Sequence, residues 1–186
     1  VNPHAGTYLF FACGANGSGY FGFLNRFSND SNSWSSYTNN PNVRKDGGSC
    51  NFKSDIGQIF GGATTGDIPV AFNEQLSVAG VWTSKTAMIY AKQDFGSCSL
   101  SSMAGIQAGG NNNSGLMLDC HKYYNSQASW AARANIILGR SGVMGWSFGP
   151  NAAVMCGGGN QASLQLLKYN SGETYLYGFN VAAPIR

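Results

Sequence analysis

Asp119, Cys120 and His121 place an acid, a thiol and an imidazole side by side, which makes them the first candidate for catalysis. A Cys–His catalytic pair needs side chains that converge on one point. Neighbours on a strand face opposite sides of a sheet, so Cys120 should face away from His121, while Asp119 and His121 share a face as a weak pair. No spacing of histidines, cysteines and carboxylates suggests a converging metal site. The sequence therefore predicts neither catalytic residues nor a metal.

The segment from Gly17 to Gly22 matches the G-x-G-x-x-G string of dinucleotide sites. That chemistry needs a helix N-terminus directly after the glycines, because its N–H groups hold the pyrophosphate. Phe23 to Phe27 lead instead into a turn rich in Ser and Asn, and a chain with 26 glycines produces such strings cheaply. We expect no nucleotide and no other cofactor.

Three basic residues recur at a fixed interval, since Arg44, Lys92 and Arg140 are each 48 positions apart. A ring of like charges around one axis would favour an anionic ligand. The same positions would also suit structural side chains that are bonded to backbone carbonyls. The sequence leaves both roles open.

The interval of 48 residues also relates other positions of the sequence. Trp34, Trp82 and Trp130 follow it, and so do Cys50 and Cys98. A fixed period of this size is the signature of a repeat protein. The chain is therefore interpreted as a single repeat domain over 1–186, with repeats at 1–48, 49–96, 97–144 and 145–186.

Each repeat contains four short runs of strand-forming residues that are bounded by Gly, Asn, Ser or Asp. No window shows sustained helical periodicity with caps. Four antiparallel strands in about 48 residues is the size of a propeller blade. The third strand of each repeat is predicted at 20–23, 68–72, 116–118 and 164–167.

The composition favours the same fold class and limits the partners. Only 10% of the 186 residues are charged, and Gly (26), Ser (21) and Asn (19) make up over a third of the chain. Gly and Asn are poor helix formers and suit turns. A net charge of +3 on scattered basic residues argues against nucleic acid, and no run of about 18 apolar residues exists to span a membrane.

The cysteines and the first residue bear on location. Five cysteines without a CxxC pair fit either two disulfides and one thiol or five buried thiols. The chain begins at Val1, which fits a removed signal peptide or a fragment. We expect an oxidising compartment, and hence an extracellular location or one on a cell or virion surface.

An apolar strand, a glycine pair, an aromatic residue, a Trp seven positions later and then an Arg form a pattern that resembles the kelch repeat. The third repeat carries it most fully, with Gly109–Gly110, Tyr123, Trp130 and Arg140, whereas Gln75 replaces the aromatic residue in the second. The resemblance implies an all-β, four-bladed propeller, although kelch propellers usually have five to seven blades. The alternative is a β-rich trimeric fibre tip, which does not require a strict interval.

The resemblance also implies where a ligand would bind. It places the basic residues and the turns after the glycine pairs on one mouth of the ring, and it gives the Trp residues a packing role, with sugar stacking as the alternative. Amides in those turns offer donors and acceptors without charge, as sugar recognition needs. The predicted ligand-binding residues are Arg44, Lys92, Arg140, Asn16, Asn111, Asn112, Asn160 and Gln161.

Closure of such a ring rests on packing between blades, and a disulfide clasp is a further option. Cys13 and Cys156 flank the glycine position in the first and last repeats, and Cys50 and Cys98 share one column. The chain is therefore predicted to be a non-catalytic recognition or adhesion module for a glycan or a protein. The alternatives are a structural virion or surface-fibre protein, assembling as a homo-oligomer, and a fragment of a secreted sugar-acting enzyme.

Overall fold

The computed structural model of the chain describes residues 8–16, 19–28, 30–52, 56–149, 152–159, 172–176 and 181–185. These residues form an all-β structure, and none of them lies in a helix that could cross a membrane. The strands in chain order are β1 (Tyr8–Asn16), β2 (Gly19–Ser28), β3 (Ser33–Ser36), β4 (Gly48–Phe52), β5 (Ile56–Phe60), β6 (Ala63–Thr64), β7 (Ile68–Pro69), β8 (Asn73–Ser77), β9 (Trp82–Ser84), β10 (Gly96–Ser101), β11 (Ala104–Ala108), β12 (Cys120–Tyr124), β13 (Ser129–Arg133), β14 (Ser141–Gly149), β15 (Ala152–Gly159), β16 (Gly172–Leu176) and β17 (Val181–Ile185).

The strands form four main antiparallel sheets, in which strands that are adjacent in the chain are also adjacent in space. Sheet I has the order β1-β2-β3, sheet II β4-β5-β8-β9, sheet III β10-β11-β12-β13 and sheet IV β14-β15-β16-β17. Strands β6 and β7 form a small separate hairpin. Among the described strands no closed barrel or propeller ring is seen.

Corresponding strands of successive sheets begin at a constant distance along the chain. The first strands of sheets II and III begin at Gly48 and Gly96, and the next strands of sheets II, III and IV begin at Ile56, Ala104 and Ala152. Each step is 48 residues. The strand positions therefore follow the interval that the Trp and basic residues follow in the sequence.

The third strands of sheets II and III lie further along the chain than the sequence predicts. The predicted ranges were 68–72 and 116–118, whereas β8 begins at Asn73 and β12 at Cys120. The segments in between belong to the loops, because β6 pairs with β7 and Asn111 forms an isolated bridge with Leu116. The prediction at 20–23 falls within β2, and that at 164–167 lies outside the described residues.

The core lies between neighbouring sheets and not within any one of them. One buried cluster joins sheets II and III, and a second joins sheets III and IV. Each apolar side chain that is fully buried contributes about 1.5–3 kcal/mol of transfer free energy. The principal members are Phe52, Phe60, Phe95 and Tyr123 in the first cluster, and Leu100, Ile106, Val143 and Met155 in the second.

Two of the aligned tryptophans tie each sheet to the connection that precedes it. The Trp82 Nε1–H group donates to the Thr38 carbonyl at 3.0 Å, and the Trp130 Nε1–H group donates to the Thr86 carbonyl at 3.0 Å. The Trp130 ring also packs edge-on against Phe60 of sheet II, with 5.3 Å between centroids. Both indoles therefore contact the neighbouring unit in the same way, which agrees with a packing role.

The five cysteines, all within the described residues, are free thiols. The clasp between Cys13 and Cys156 is therefore not formed, and neither is a bridge between Cys50 and Cys98. The Cys50 Sγ instead donates to the Cys98 carbonyl at 3.1 Å, because the strands that carry these residues lie side by side. Of the alternatives left open by the sequence, the structure agrees with thiols.

Candidate functional site

Each glycine pair is bonded to the connection that carries the basic residue of the same repeat. In three places the N–H of a glycine donates to the carbonyl of that basic residue, and the three bonds are related by the 48-residue interval. The glycine loops and the basic connections therefore lie at the same end of the sheets, and this surface is called the loop face below. The bonds are Gly14 to Arg44 (3.1 Å), Gly62 to Lys92 (2.9 Å) and Gly110 to Arg140 (2.8 Å).

The connections are also bonded to one another across the loop face. The Asp94 N–H donates to the Asp46 carbonyl at 2.9 Å, and the Gly142 N–H donates to the Asp94 carbonyl at 2.8 Å. All three residues have positive φ angles, of 56°, 57° and 70°. Asp is one of the few residues other than Gly that adopts this conformation at modest cost. A main-chain ladder therefore joins sheets I to IV at this face.

The side chain of Arg44 points into the protein from this ladder. It is fully buried, and its guanidinium lies 2.8 Å from the Glu74 carboxylate and donates to the Ile59 carbonyl at 3.2 Å. Burial lowers the pKa of Arg44, and the Glu74 carboxylate opposes that shift. Asn40 donates to the same carboxylate at 3.0 Å. This ion pair therefore links the connection after sheet I to β8 of sheet II.

Lys92 occupies the equivalent place between sheets II and III. Its Nζ lies 2.7 Å from Asp119 Oδ2, and the side chain is fully buried. The same Asp119 oxygen lies 2.9 Å from His121 Nδ1, which confirms that Asp119 and His121 share a face. Burial tends to raise the pKa of Asp119, but the hydrogen bond from His121 and the Lys92 charge outweigh it and hold the pKa below its usual range.

Cys120 lies on the opposite face of β12 and is buried, as the strand geometry predicts. Burial raises the pKa of the Cys120 thiol to about 12, so the reactive thiolate is scarce at neutral pH. His121 is also buried, beneath the ring of Tyr90 at 5.6 Å between centroids. These residues form a structural charge cluster.

The predicted ligand-binding residues fall into three groups. The side chains of Arg44, Lys92 and Arg140 have at most 1% of their surface exposed, so they do not offer charge to a ligand at the loop face. Asn111 is buried too, and its amide donates to Asp94 Oδ2 at 3.0 Å. The remaining positions are Asn16 and Asn112, which are exposed, and Asn160 and Gln161, which lie outside the described residues.

The structure brings together a different set of side chains around Asp67, which is 59% exposed in its side chain. Lys45 Nζ lies 2.7 Å from Asp67 Oδ1, and the Tyr20 hydroxyl donates to the same oxygen at 2.8 Å. The Asn113 amide donates to the Asp67 carbonyl at 2.7 Å. Residues from sheets I, II and III therefore meet at one exposed carboxylate, and these four residues are called the Asp67 cluster below.

The charges of the Asp67 cluster are fixed by its hydrogen bonds. The bond from Lys45 and the bond from Tyr20 hold the pKa of Asp67 below its usual range, so the carboxylate stays ionised at neutral pH. Lys45 also lies 3.5 Å from Asp46 Oδ2 and 5.4 Å from the centre of the Tyr20 ring. The cluster therefore offers a carboxylate, an ammonium group, an amide and an aromatic ring to a ligand.

Sequence reasoning missed this cluster for a physical reason. Asp67 follows the polar turn Thr64–Gly66, and Lys45 and Asp46 directly follow Arg44, but none of the three recurs at the 48-residue interval as an identical residue. The useful signal was the positive φ that an Asp–Gly-rich connection favours, which marks where the main chain turns outward. Among the described residues no group of three or more His, Cys, Asp or Glu could hold a metal ion. No protein-family model matches this chain, and no curated protein matches it.

Proposed function

We propose that the chain is a non-catalytic recognition module that binds a glycan at the Asp67 cluster, and that its four sheets are the blades of a kelch-like propeller. The observation that carries the proposal is the convergence of three sheets on the exposed Asp67 carboxylate. A site that draws on several rigid sheets is held in one geometry before a ligand arrives, which lowers the entropy lost on binding.

The chemistry of the cluster suits a ligand that is rich in hydroxyl groups. An ionised carboxylate accepts hydrogen bonds from hydroxyls, and bonds to a charged acceptor are stronger than neutral ones. Lys45 and Asn113 supply donors, and the Tyr20 ring supplies an apolar face beside them. A glycan presents donors, acceptors and apolar C–H faces together, and therefore matches this set.

The fold part of the proposal is supported by the repeated bonds between neighbouring sheets. The ladder through Asp46, Asp94 and Gly142, and the paired indole bonds of Trp82 and Trp130, relate successive sheets by one constant operation. A constant operation between adjacent sheets is how a propeller or other repeat array is built. The low charge and the polar loops suit an extracellular or surface location, which is part of the proposal.

The proposal is tested by glycan-array binding of the full chain beside two substitutions in the cluster. Asp67→Asn removes the charge and Tyr20→Phe removes one hydrogen bond, and we expect each to weaken binding of any glycan hit at least tenfold. Asp30→Asn is the matched control, because Asp30 is exposed in the turn at the opposite end of sheet I. The bound glycan should be recovered intact.

Absence of any glycan hit, or equal binding by Asp67→Asn and Tyr20→Phe, would overturn the glycan proposal. Hydrolysis of the bound glycan would instead indicate the sugar-acting enzyme.

A structural role in assembly is the second candidate, and exposed apolar residues on β14 favour it. Met144, Trp146 and Phe148 are exposed, with Phe148 at 75%. The corresponding residues Cys98 and Leu100 of β10 lie against the next sheet instead. A concentration-dependent mass in light scattering that becomes monomeric in Trp146→Ser would support assembly through this face. A monomer at all concentrations would exclude it.

A further inference from the structure

One edge of β1 differs from the corresponding edges in the other sheets. β5, β11 and β15 each pair with a strand on both sides, whereas β1 pairs with β2 alone among the described residues. An edge that carries N–H and C=O groups is a template for another strand. This inference does not depend on the proposed glycan site, since it concerns a different surface.

A cleft of about 500 Å³ lies beside this edge, between sheets I and II. It is the place where sheet I would have an inner strand equivalent to β4 and β10, because its walls are the inner faces of β1, β4 and β5. The residues that the argument uses from its lining are Ala12, Ser49, Asn51, Gly57 and Trp82.

At the next interface the equivalent space is filled by β4 itself, which lies against β10. The Ser97 hydroxyl accepts from the Ser49 N–H at 2.9 Å and donates to the Ser49 carbonyl at 3.2 Å. The Ser99 hydroxyl accepts from the Asn51 N–H at 2.7 Å. Two polar side chains of sheet III therefore bind the backbone edge of the inner strand of sheet II.

Ser49 and Asn51 hold the positions in β4 that Ser97 and Ser99 hold in β10, 48 residues later. Both line the cleft and are exposed, whereas Ser97 and Ser99 are half-buried. Their hydroxyl and amide groups are therefore placed to bind the backbone of an extended segment in the cleft, as the two serines bind β4.

The floor of the cleft has room for one small side chain. At Gly105, an added Cβ would overlap Cys50 Sγ, so the glycine is required by the side chain above it. At the equivalent Gly57, the nearest atom to an added Cβ is Asn51 Oδ1, at 3.9 Å. The position that Cys50 fills at the second interface is therefore open at the first.

We propose that this cleft binds an extended strand of a partner chain, which adds to the edge of β1 and places a small side chain over Gly57. Strand addition of this kind draws its affinity from main-chain hydrogen bonds and its specificity from alternate side chains. In this chain the residue 48 positions before Asn51 is Pro3. Proline has no N–H to donate to the Asn51 side chain, so a partner strand without proline is the better match.

The test uses the full chain and a labelled peptide, Gly-Ser-Ser-Asn-Phe, which copies β4 with serine in place of Cys50. Fluorescence anisotropy should show saturable binding. Gly57→Val fills the open position and should weaken binding at least tenfold, and the double substitution Ser49→Ala with Asn51→Ala should weaken it at least threefold. Asp67→Asn on the loop face is the control and should leave peptide binding unchanged, which separates this site from the proposed glycan site.

Three results would overturn the proposal. They are no saturable binding by the full chain, equal binding by Gly57→Val, and binding that is seen only after residues 1–7 are deleted. The last result would assign the cleft to the chain's own first residues instead of a partner.

Discussion

The interface between sheets II and III is filled, and the interface between sheets I and II is partly open. At the filled interface, Cys50 lies over Gly105, and the Phe52 ring packs against the Tyr123 ring at 5.9 Å. At the open interface, Gly57 has only Asn51 near it, and a cleft separates β1 from β4. The two interfaces share their main-chain ladder and their buried ion pairs, so neither feature depends on a filled inner-strand position.

This comparison separates two functions of the contacts between sheets. The ladder and the buried charges set how far apart and in what direction successive sheets lie, and they recur at both interfaces. The apolar contacts between inner strands supply burial, and they are present only where an inner strand exists. An interface that keeps the first set and lacks the second is a preformed site for a strand.

The largest effect is expected from Glu74→Ala, which tests whether the open interface depends on its ion pair. The change leaves the buried Arg44 charge without its carboxylate, and losing one partner of a buried pair costs about 3–5 kcal/mol. Urea unfolding followed by circular dichroism measures the free energy. Glu74→Gln is the matched control and should cost less, because its amide oxygen still accepts a hydrogen bond. A loss below about 1 kcal/mol for Glu74→Ala would break the comparison.

The second prediction contrasts the two equivalent glycines directly. Gly105→Val forces a side chain into Cys50 and should destabilise by about 1–3 kcal/mol, as overpacked cores do. Gly57→Val meets open space and should change the free energy of unfolding by no more than about 0.5 kcal/mol. Thermal unfolding of both variants under the same conditions decides this. Equal losses would mean that the first interface is as tightly packed as the second.

The third prediction uses two aligned tryptophans. Trp130→Phe removes the donor to the Thr86 carbonyl and should cost about 1–2 kcal/mol. Trp34 has 57% of its surface exposed, so Trp34→Phe should stay within about 0.5 kcal/mol of the parent. Chemical unfolding monitored by the remaining fluorescence provides the measurement. A costly Trp34→Phe would indicate that a further surface covers sheet I.

The smallest effect concerns acid stability of the charge cluster at the filled interface. Because His121 and Lys92 hold the pKa of Asp119 below its unfolded value of about 3.9, the cluster stabilises the fold above that pH. The contribution is lost as the pH falls through the folded pKa. Asp119→Asn should therefore show a shallower loss of stability below about pH 4 than the parent. Asp30→Asn, in an exposed turn, should keep the parent slope, and a parent slope for Asp119→Asn would contradict the assignment.

The sequence predicts the class of fold well because its strongest signals are local or periodic. The strand at 56–60 was expected from an apolar run before a glycine pair, and β5 spans Ile56–Phe60. The pairing of Asp119 with His121 follows from strand alternation alone. The third strands were placed too early, since Ile68 was assigned to a main sheet but lies exposed in the small hairpin.

The site was less predictable because spacing carries no information about burial. Arg44, Lys92 and Arg140 have the regular interval of a charged ring, yet each side chain points inward and is bonded there. Their exposed neighbour Lys45 was not singled out. Asp67 becomes important only through Tyr20 and Asn113, which lie 47 and 46 residues away, and such contacts depend on how sheets sit beside one another.

The ladder through Asp46, Asp94 and Gly142 makes chain length itself a structural parameter. Each link joins a residue to another that lies 48 positions later, so an insertion within a unit must be absorbed by a hairpin loop and not by the joint. Conversely, removing residues 46–93 would bring Lys45 next to Asp94 and preserve every joint that remains. The protein should therefore tolerate gain or loss of a whole unit better than a shift of a few residues, which is how a modular chain changes size during evolution.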